Sequence, residues 1–503
     1  MAGFIVFLLA MPLSLGIAKA SEFPPVMGLV TAIIGGIFVR FLGGSRLTIK
    51  GPAAGLIVIV AGAVGEFGGG ENGWHLALGA MIVAGVVQVL FGVFKLGRLA
   101  DMFPLSAIHG MLAAIGLIIL TKQIPVLLDI DPATTRGMDP IALFLHIPHF
   151  VLHLDPRATV IGVASLAIML GWPYMRQPLL RKVPAPLVVL LVAVPAELIM
   201  DFQHTEPPYA LVHIGNLAEN IRIHASFGGL AQPLVFAKYV VMFALVGSLE
   251  SLLTVKAIDL QDPYRRKSDA NRDLIAVGLG NVLAAVLGGL PMISEVARSA
   301  ANVSNGAKTG WANFFHGVFL LVFVLLAVRF IEMIPNTALA AMLITVGIKL
   351  AHPREFVQTV RVGREQLLIF LVTIFFTLYE DLLVGIFAGM ALKIVIHWIN
   401  GTPISSFFKS SAAISFEGRQ YLVEIDKAAI FTNYLGIKRK LESIPSGFDI
   451  TIDLQHTRLV DHSVMEQLHH FQHDYEASGG TVNITGLDSH LPTSGHHLAA
   501  RKK

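Results

Sequence analysis

The sequence predicts a polytopic α-helical membrane protein, a seven-plus-seven inverted repeat with two half-helices, followed by a small α/β domain. Three observations predict it. Of 503 residues, 54% are hydrophobic and only 14% charged, against about a quarter charged in a soluble domain. Apolar runs of about 20 residues recur, each long enough to cross a bilayer. Two Gly- and Pro-broken stretches, 42–55 and 287–302, interrupt the apolar pattern at matching places in the two halves. Paired interruptions of this kind are the strongest sequence pointer to an intramembrane binding site.

Composition excludes several classes. Mean hydropathy is +0.69. The net charge of +3 is small and the basic residues fall between apolar spans, so no nucleic acid is expected as a partner. There is no Cys, which removes disulfides, thiolate chemistry and Cys-based metal sites. The His residues lack metal-ligand spacing, so no metal centre is expected. No nucleotide loop or nucleophile–base pair appears, and an enzyme is not expected. Met1 to Ala18 reads as a retained first span rather than a cleaved signal, and its abrupt start implies a short cytosolic lead upstream.

In order, the first half reads as spans 3–18, 25–42, 52–66, 74–94, 104–120, 156–172 and 184–200. The second half reads as 235–257, 272–287, 296–306, 311–331, 335–350, 365–379 and 382–399. Of these, 52–66 and 296–306 are too short to cross and are the half-helices. Lys95 and Arg98 follow the fourth span, and Arg176, Arg181 and Lys182 the sixth. Arg265, Arg266, Lys267 and Arg272 follow the eighth, Lys308 the tenth, and Arg354, Arg361 and Arg364 the twelfth. All fall on one face if the N-terminus is cytoplasmic, so both termini are expected in the cytoplasm, with the protein in the inner (plasma) membrane. An odd number of spans per half makes the second half enter from the opposite face, hence the inversion. The short apolar region 140–153 reads as an interfacial helix.

The stretch 287–302 opens Leu287-Gly288-Gly289-Leu290-Pro291, which stops a helix, and Ser294 can cap a short one that starts afterwards. Its N–H groups and positive dipole end would lie in mid-membrane, a seat for an anion. Stretch 42–55 repeats the pattern: Leu42-Gly43-Gly44, an alternating Arg46-Leu47-Thr48-Ile49-Lys50, then Pro52 for a first helical turn. Glu295 and Arg298, three residues apart, are costly at this depth and require a cavity or a partner.

From about residue 410 the composition becomes that of a soluble domain. Segments 421–425, 448–454 and 481–485 read as strands, with helical spacing over 433–443 and 463–478 between them. Ser463-Val464-Met465-Glu466 fits a capping box. The domain is expected to span 410–490, with 491–503 as a tail.

The order of Gly51-Pro52-Ala53-Ala54, then Glu250-Ser251-Leu252-Leu253-Thr254, then Val296-Ala297-Arg298-Ser299, ending in a domain with Asp461-His462-Ser463-Val464, resembles the sulfate permease (SulP) family of anion transporters with a C-terminal STAS domain. The resemblance spans essentially the whole chain. It implies a core of spans one to four and eight to eleven moving against a gate of the others. A dimer and a small inorganic anion, sulfate or bicarbonate, between the third and tenth helices are also implied. Backbone N–H groups around Ala53, Ala54, Gly55, Val296, Ala297 and Arg298, with Ser299, would bind the oxyanion, small side chains allowing close approach. Arg298 matches the family's basic residue in the tenth span; its alternative is an ion pair with Glu295.

Glu250 and Thr254 lie one helical turn apart on one face. They match the position where bicarbonate carriers of the family place an Asp and a Thr at a sodium site. Carboxylate and hydroxyl oxygens suit a co-transported Na+, whereas a buried carboxyl can carry a proton; an inert Glu paired with Arg298 is the third option. Glu295 departs from the small neutral residue common in the family and favours coupling to a cation. No resident cofactor is implied. Ser463 matches the phosphorylated Ser of STAS-domain anti-sigma-factor antagonists, or serves as a helix cap. The alternatives are a nucleobase or dicarboxylate:cation symporter on the same architecture, or a non-transporting anion sensor.

Overall fold

The structure, a computed structural model, describes residues 1–97, 103–135, 138–175, 177, 183–205, 211–212, 222–264, 266–418 and 420–503. Arg98, Arg176, Arg181, Lys182 and Arg265, used above for orientation, lie outside the described residues. Each predicted span is a helix. The first half holds α1 (Ala2–Ala20), α2 (Pro25–Leu42), α3 (Ile57–Glu66), α4 (Gly70–Val93), α5 (Leu105–Leu127), α6 (Pro156–Gly171) and α7 (Ala185–Met200). The second holds α8 (Pro233–Gln261), α9 (Ala270–Val286), α10 (Val296–Ser304), α11 (Trp311–Leu326), α12 (Asn336–Leu350), α13 (Arg364–Tyr379) and α14 (Leu382–Ile399). Among the described residues, seven helices are long and apolar enough to cross a membrane. The half-helices α3 and α10 have only 10 and 9 residues.

Each half-helix follows a short strand. These strands, β1 (Ile49–Pro52) and β2 (Met292–Glu295), pair antiparallel, with Ile49 opposite Glu295 and Pro52 opposite Met292. Two chain halves entering from opposite faces bring equivalent strands together in this sense. The helices obey the same symmetry: α4 packs on α9 as α11 packs on α2. Gly288, at φ +86°, ends α9 in a conformation only glycine adopts cheaply, and its carbonyl accepts from Trp74 Nε1 at 3.2 Å. The region 140–153 forms two short, largely exposed helices, Pro140–Leu145 and Ile147–Leu152, as its length predicts.

By packing, the chain divides into Met1–Gly97 with Ile115–Leu350, and Arg98–Ala114 with Ala351–Lys503. In the second unit α13 and α14, which pack on each other, precede the C-terminal domain, whose first strand starts at Ala412. An amphipathic helix, Pro353–Val362, precedes them and escaped the sequence reading, being too short and polar for a span.

The C-terminal domain contains the three expected strands and five more. One sheet runs in the order β3 (Ala412–Glu417), β4 (Gln420–Ile425), β6 (Asp449–Asp453) and β8 (Thr481–Thr485), with β3–β4 antiparallel and the rest parallel. The second runs in the order β5 (Lys427–Ala429), β7 (Thr457–Val460), β10 (Arg501–Lys502) and β9 (Leu491–Pro492). Helices α15 (Tyr434–Glu442) and α16 (His462–Glu476) lie close to their expected limits. Val423, Ile437, Leu441, Ile452, Val464 and Leu468 meet in a closed core. Residues 491–503 are not a tail: β9 and β10 pair with each other, β10 pairs with β7, and Ala499 and Ala500 are buried. Two-residue strands carry too little periodicity to be read from sequence.

Candidate functional site: two half-helix N-termini and a buried arginine

The β1–β2 pair is fastened from behind by polar side chains that the sequence reading did not single out. Lys50 Nζ meets Asp273 Oδ1 at 2.8 Å, with both side chains almost fully buried. Asp273 also accepts from the Ser45 N–H at 3.2 Å and the Ser294 hydroxyl at 3.1 Å. Asn281 Oδ1 accepts from the Met292 N–H at 2.6 Å, and Ser251 Oγ from the Ser294 N–H at 3.1 Å. These bonds satisfy backbone groups that a two-stranded sheet leaves open in an apolar surround.

Ser294 is therefore not the cap expected of it. Strand pairing holds Ser294 extended and turns its hydroxyl to Asp273, and the N-cap position of α10 falls to Glu295 (φ −87°, ψ 122°), with no side chain capping the helix. On the other side Ala53 is the extended residue before a 3-10 turn, Ala54–Leu56, that leads into α3. Each half-helix thus starts just past an extended residue, Ala53 on one side and Glu295 on the other.

The predicted site residues gather here. Ala53, Ala54 and Gly55 form the entry to α3, and Val296, Ala297, Arg298 and Ser299 the first turn of α10. Glu250, on α8, is 7% exposed, and its carboxylate lies so close to Gly55 that a Cβ there would collide with both oxygens. Thr254 is buried one turn further along α8. Glu295 reaches across to α3, where its Oε1 accepts from the Ala54 N–H at 3.2 Å. Ser299 Oγ accepts from the Ile49 N–H at 2.8 Å and so ties α10 to β1.

Arg298 is 1% exposed, its Nη1 lies against Gly51 of β1, and none of its three guanidinium nitrogens has a hydrogen-bond partner. The ion pair considered for Glu295 and Arg298 is without a hydrogen bond between the two side chains. Residues three apart meet only when both are helical; Glu295 is the extended residue of that spacing and turns to α3 instead. Nor does Arg298 bond Glu250, whose Oε1 is buried without a partner. His316 on α11 is a further buried side chain that sequence reasoning missed, with both ring nitrogens unpartnered. A lone His in an apolar helix gives no signal of its own.

The contact at Gly55 is testable. Gly55→Ala should destabilise the protein by about 1–3 kcal/mol through overpacking. Gly55→Ala/Glu250→Ala should recover most of that loss in thermal unfolding of the purified protein. Equal losses in both variants would deny the contact.

Ser463 lies elsewhere, in the C-terminal unit. Its Oγ accepts from Lys393 Nζ of α14 at 2.9 Å and from the Leu105 N–H, at the start of α5, at 3.4 Å. The capping box expected at Ser463 is displaced: Asp461 is the N-cap, its Oδ1 accepting from the Val464 N–H at 2.7 Å, while Glu466 approaches His462 at 3.6 Å. The helix begins two residues earlier than the box assumes, because Asp461 is the better placed acceptor. Asp461 Oδ2 also meets Lys393 Nζ at 3.3 Å, His397 Nε2 at 3.2 Å and the Phe431 N–H at 2.7 Å. Burial alone raises the Asp461 carboxyl; the Lys393 ammonium and then His397 outweigh it and hold the group below the usual carboxylate range.

With this geometry in hand, comparison with known proteins is specific. The Sulfate permease family matches residues 1–373, and the chain belongs to that family. It is 29% identical over 400 residues to the "Putative sulfate transporter YvdB" of Bacillus subtilis (strain 168), covering 78% of this chain and 72% of that protein. It is 25% identical over 400 residues to the bicarbonate transporter BicA of Picosynechococcus sp., covering 77% and 68%. The solved transmembrane domain of a cyanobacterium bicarbonate transporter BicA superposes with TM-score 0.66 at 22% identity, covering 77% of this chain and 96% of that chain. SLC26A9 superposes with TM-score 0.70 at 15% identity, covering 97% and 84%, so the shared fold runs on through the C-terminal domain. The named relatives are transporters, not enzymes.

Proposed function

We propose that the chain is a secondary active transporter of a small inorganic anion, sulfate or bicarbonate, carried with Na+ or H+ in symport. The observation that carries this reading is Arg298, a guanidinium 1% exposed with no donor satisfied, beside two half-helix N-termini. An unpaired buried cation is expensive. An anion seated between the two positive helix ends, on the N–H groups of Ala53 to Gly55 and Val296 to Arg298, would relieve that cost. The named sulfate and bicarbonate transporters among its relatives support the same anions here.

In this reading Glu250 and Thr254 supply oxygen ligands for Na+, or Glu250 carries the proton, with Glu295 beside them. The core, α1–α4 with α8–α11, carries the seat past the gate helices in an elevator motion. The protein works as a homodimer in the inner membrane with both termini cytoplasmic. The C-terminal domain acts as a STAS domain, and Ser463 serves regulation through its bond to Lys393 rather than as an exposed acceptor.

Uptake of labelled sulfate and bicarbonate into proteoliposomes, with and without a sodium gradient and at two pH values, tests the reading. Cation-driven uptake of one of them is expected, with the cation dependence lost in Glu250→Gln. Unchanged dependence in that variant would remove Glu250 from coupling, and no flux of either anion would overturn the transport assignment.

A further inference from the structure

The Ala54 N–H, one of the donors assigned to the substrate, already has an acceptor: Glu295 Oε1 at 3.2 Å. That carboxylate belongs to the residue just ahead of α10, so it reaches from one half-helix to the start of the other. A carboxylate is itself a small oxyanion. It uses the backbone N–H as a charge-assisted acceptor, in the manner expected of the transported anion. A second observation marks the same spot as a ligand seat. Glu250 is buried against Gly55, the next residue of α3's entry, with one oxygen unpartnered. Two carboxylates thus converge on one helix start, and the only nearby guanidinium, among the described residues, is turned toward Gly51.

We infer that Glu295 is a tethered competitor of the substrate: its carboxylate occupies the Ala54 N–H at the start of α3, and an incoming anion must displace it. Rigid backbone donors cannot serve both at once. Glu295 thereby sets the affinity for anions and also their charge preference. A doubly charged anion feels the retained carboxylate twice as strongly as a singly charged one, so the wild-type site discriminates against dianions. The shape of the seat follows as well. A donor that accommodates a planar carboxylate fits a planar oxyanion such as bicarbonate without rearrangement. This inference rests on the reading that a small anion binds at the start of α3.

The experiment compares wild type, Glu295→Ala and Glu295→Gln at fixed pH and fixed sodium, with sulfate and bicarbonate as probes. Two quantities are read: the half-saturating concentration for uptake, and the anion-dependent rise in unfolding temperature of the purified protein. Glu295→Ala should lower half-saturation for sulfate about tenfold, and for bicarbonate by less, since removal of a charged competitor acts through affinity. Glu295→Gln keeps an acceptor oxygen without the charge and should fall between; it also covers the case in which the alanine variant folds poorly. Half-saturation unchanged or raised in a folded variant overturns the inference while leaving the transport reading intact. Tighter anion-dependent stabilisation in Glu295→Ala without flux in any form would keep the competitor and overturn transport. A wild type that is neither stabilised by these anions nor moves them would overturn both.

Discussion

Asp273→Asn should lower the unfolding temperature of the purified protein by on the order of 10 °C, because it leaves Lys50 charged and unpaired in the interior. Breaking one side of a buried ion pair costs about 3–5 kcal/mol. Here the same carboxylate also receives the Ser45 N–H and the Ser294 hydroxyl, so the loss spreads to both strands. Lys50→Met should behave like Asp273→Asn. The double variant Lys50→Met/Asp273→Leu, which buries no charge, should regain most of the stability. Tryptophan fluorescence during heating reads this, since the chain has 4 Trp. Losses in the double variant that equal the sum of the single ones would show that the two residues act independently.

Asp461→Asn is the counterpart in the C-terminal unit. Asn keeps the acceptor that caps α16 but removes the charge that Lys393 and His397 face, with Lys393 and Asp461 both 0% exposed. The expected loss is again about 3–5 kcal/mol for that unit. Its pH dependence has a definite sign. The folded Asp461 carboxyl lies below its unfolded value, so its contribution is fully present above the ordinary carboxylate pKa. That contribution is lost as the pH falls below about 4 towards the depressed folded value. Wild type should therefore lose stability on acidification in that window more steeply than Asp461→Asn. Hydrogen exchange of the strands β6 and β7, followed from about pH 5 down to about pH 2, measures it; parallel curves for the two proteins would contradict the role given to Asp461.

Much of the architecture was legible in the sequence because bilayer-length apolar runs are a strong signal. The half-helices were legible for a different reason: Gly43-Gly44 and Gly288-Gly289, each followed by a Pro and small residues, interrupt spans that should otherwise continue. The polar fastening behind them was not. Lys50 and Asp273 are 223 residues apart and each looks like an ordinary charge at a span's edge. The direction of side chains was also hidden. Glu295 and Arg298 have helical spacing in sequence, yet one is strand and the other helix, so they face different ways. In the C-terminal domain β4, β6 and β8, five or six residues long, were readable and the six-residue β3 was not, whereas β5, β9 and β10 are two or three residues long and exist only through their partners.

The central claim is that a small anion sits between the starts of α3 and α10. The chain has no Cys, so single cysteines can be introduced without a removal step. Ala54→Cys and Ala297→Cys mark the two sides of the seat, and Ser304→Cys, exposed at the far end of α10, is the control. The measurement is the rate at which a small anionic thiol reagent modifies each variant with and without the transported anion. Protection of about tenfold at ten times the half-saturating concentration is predicted at both Ala54→Cys and Ala297→Cys, with none at Ser304→Cys. Rates at both seat positions that ignore an anion the same protein is carrying would contradict the account.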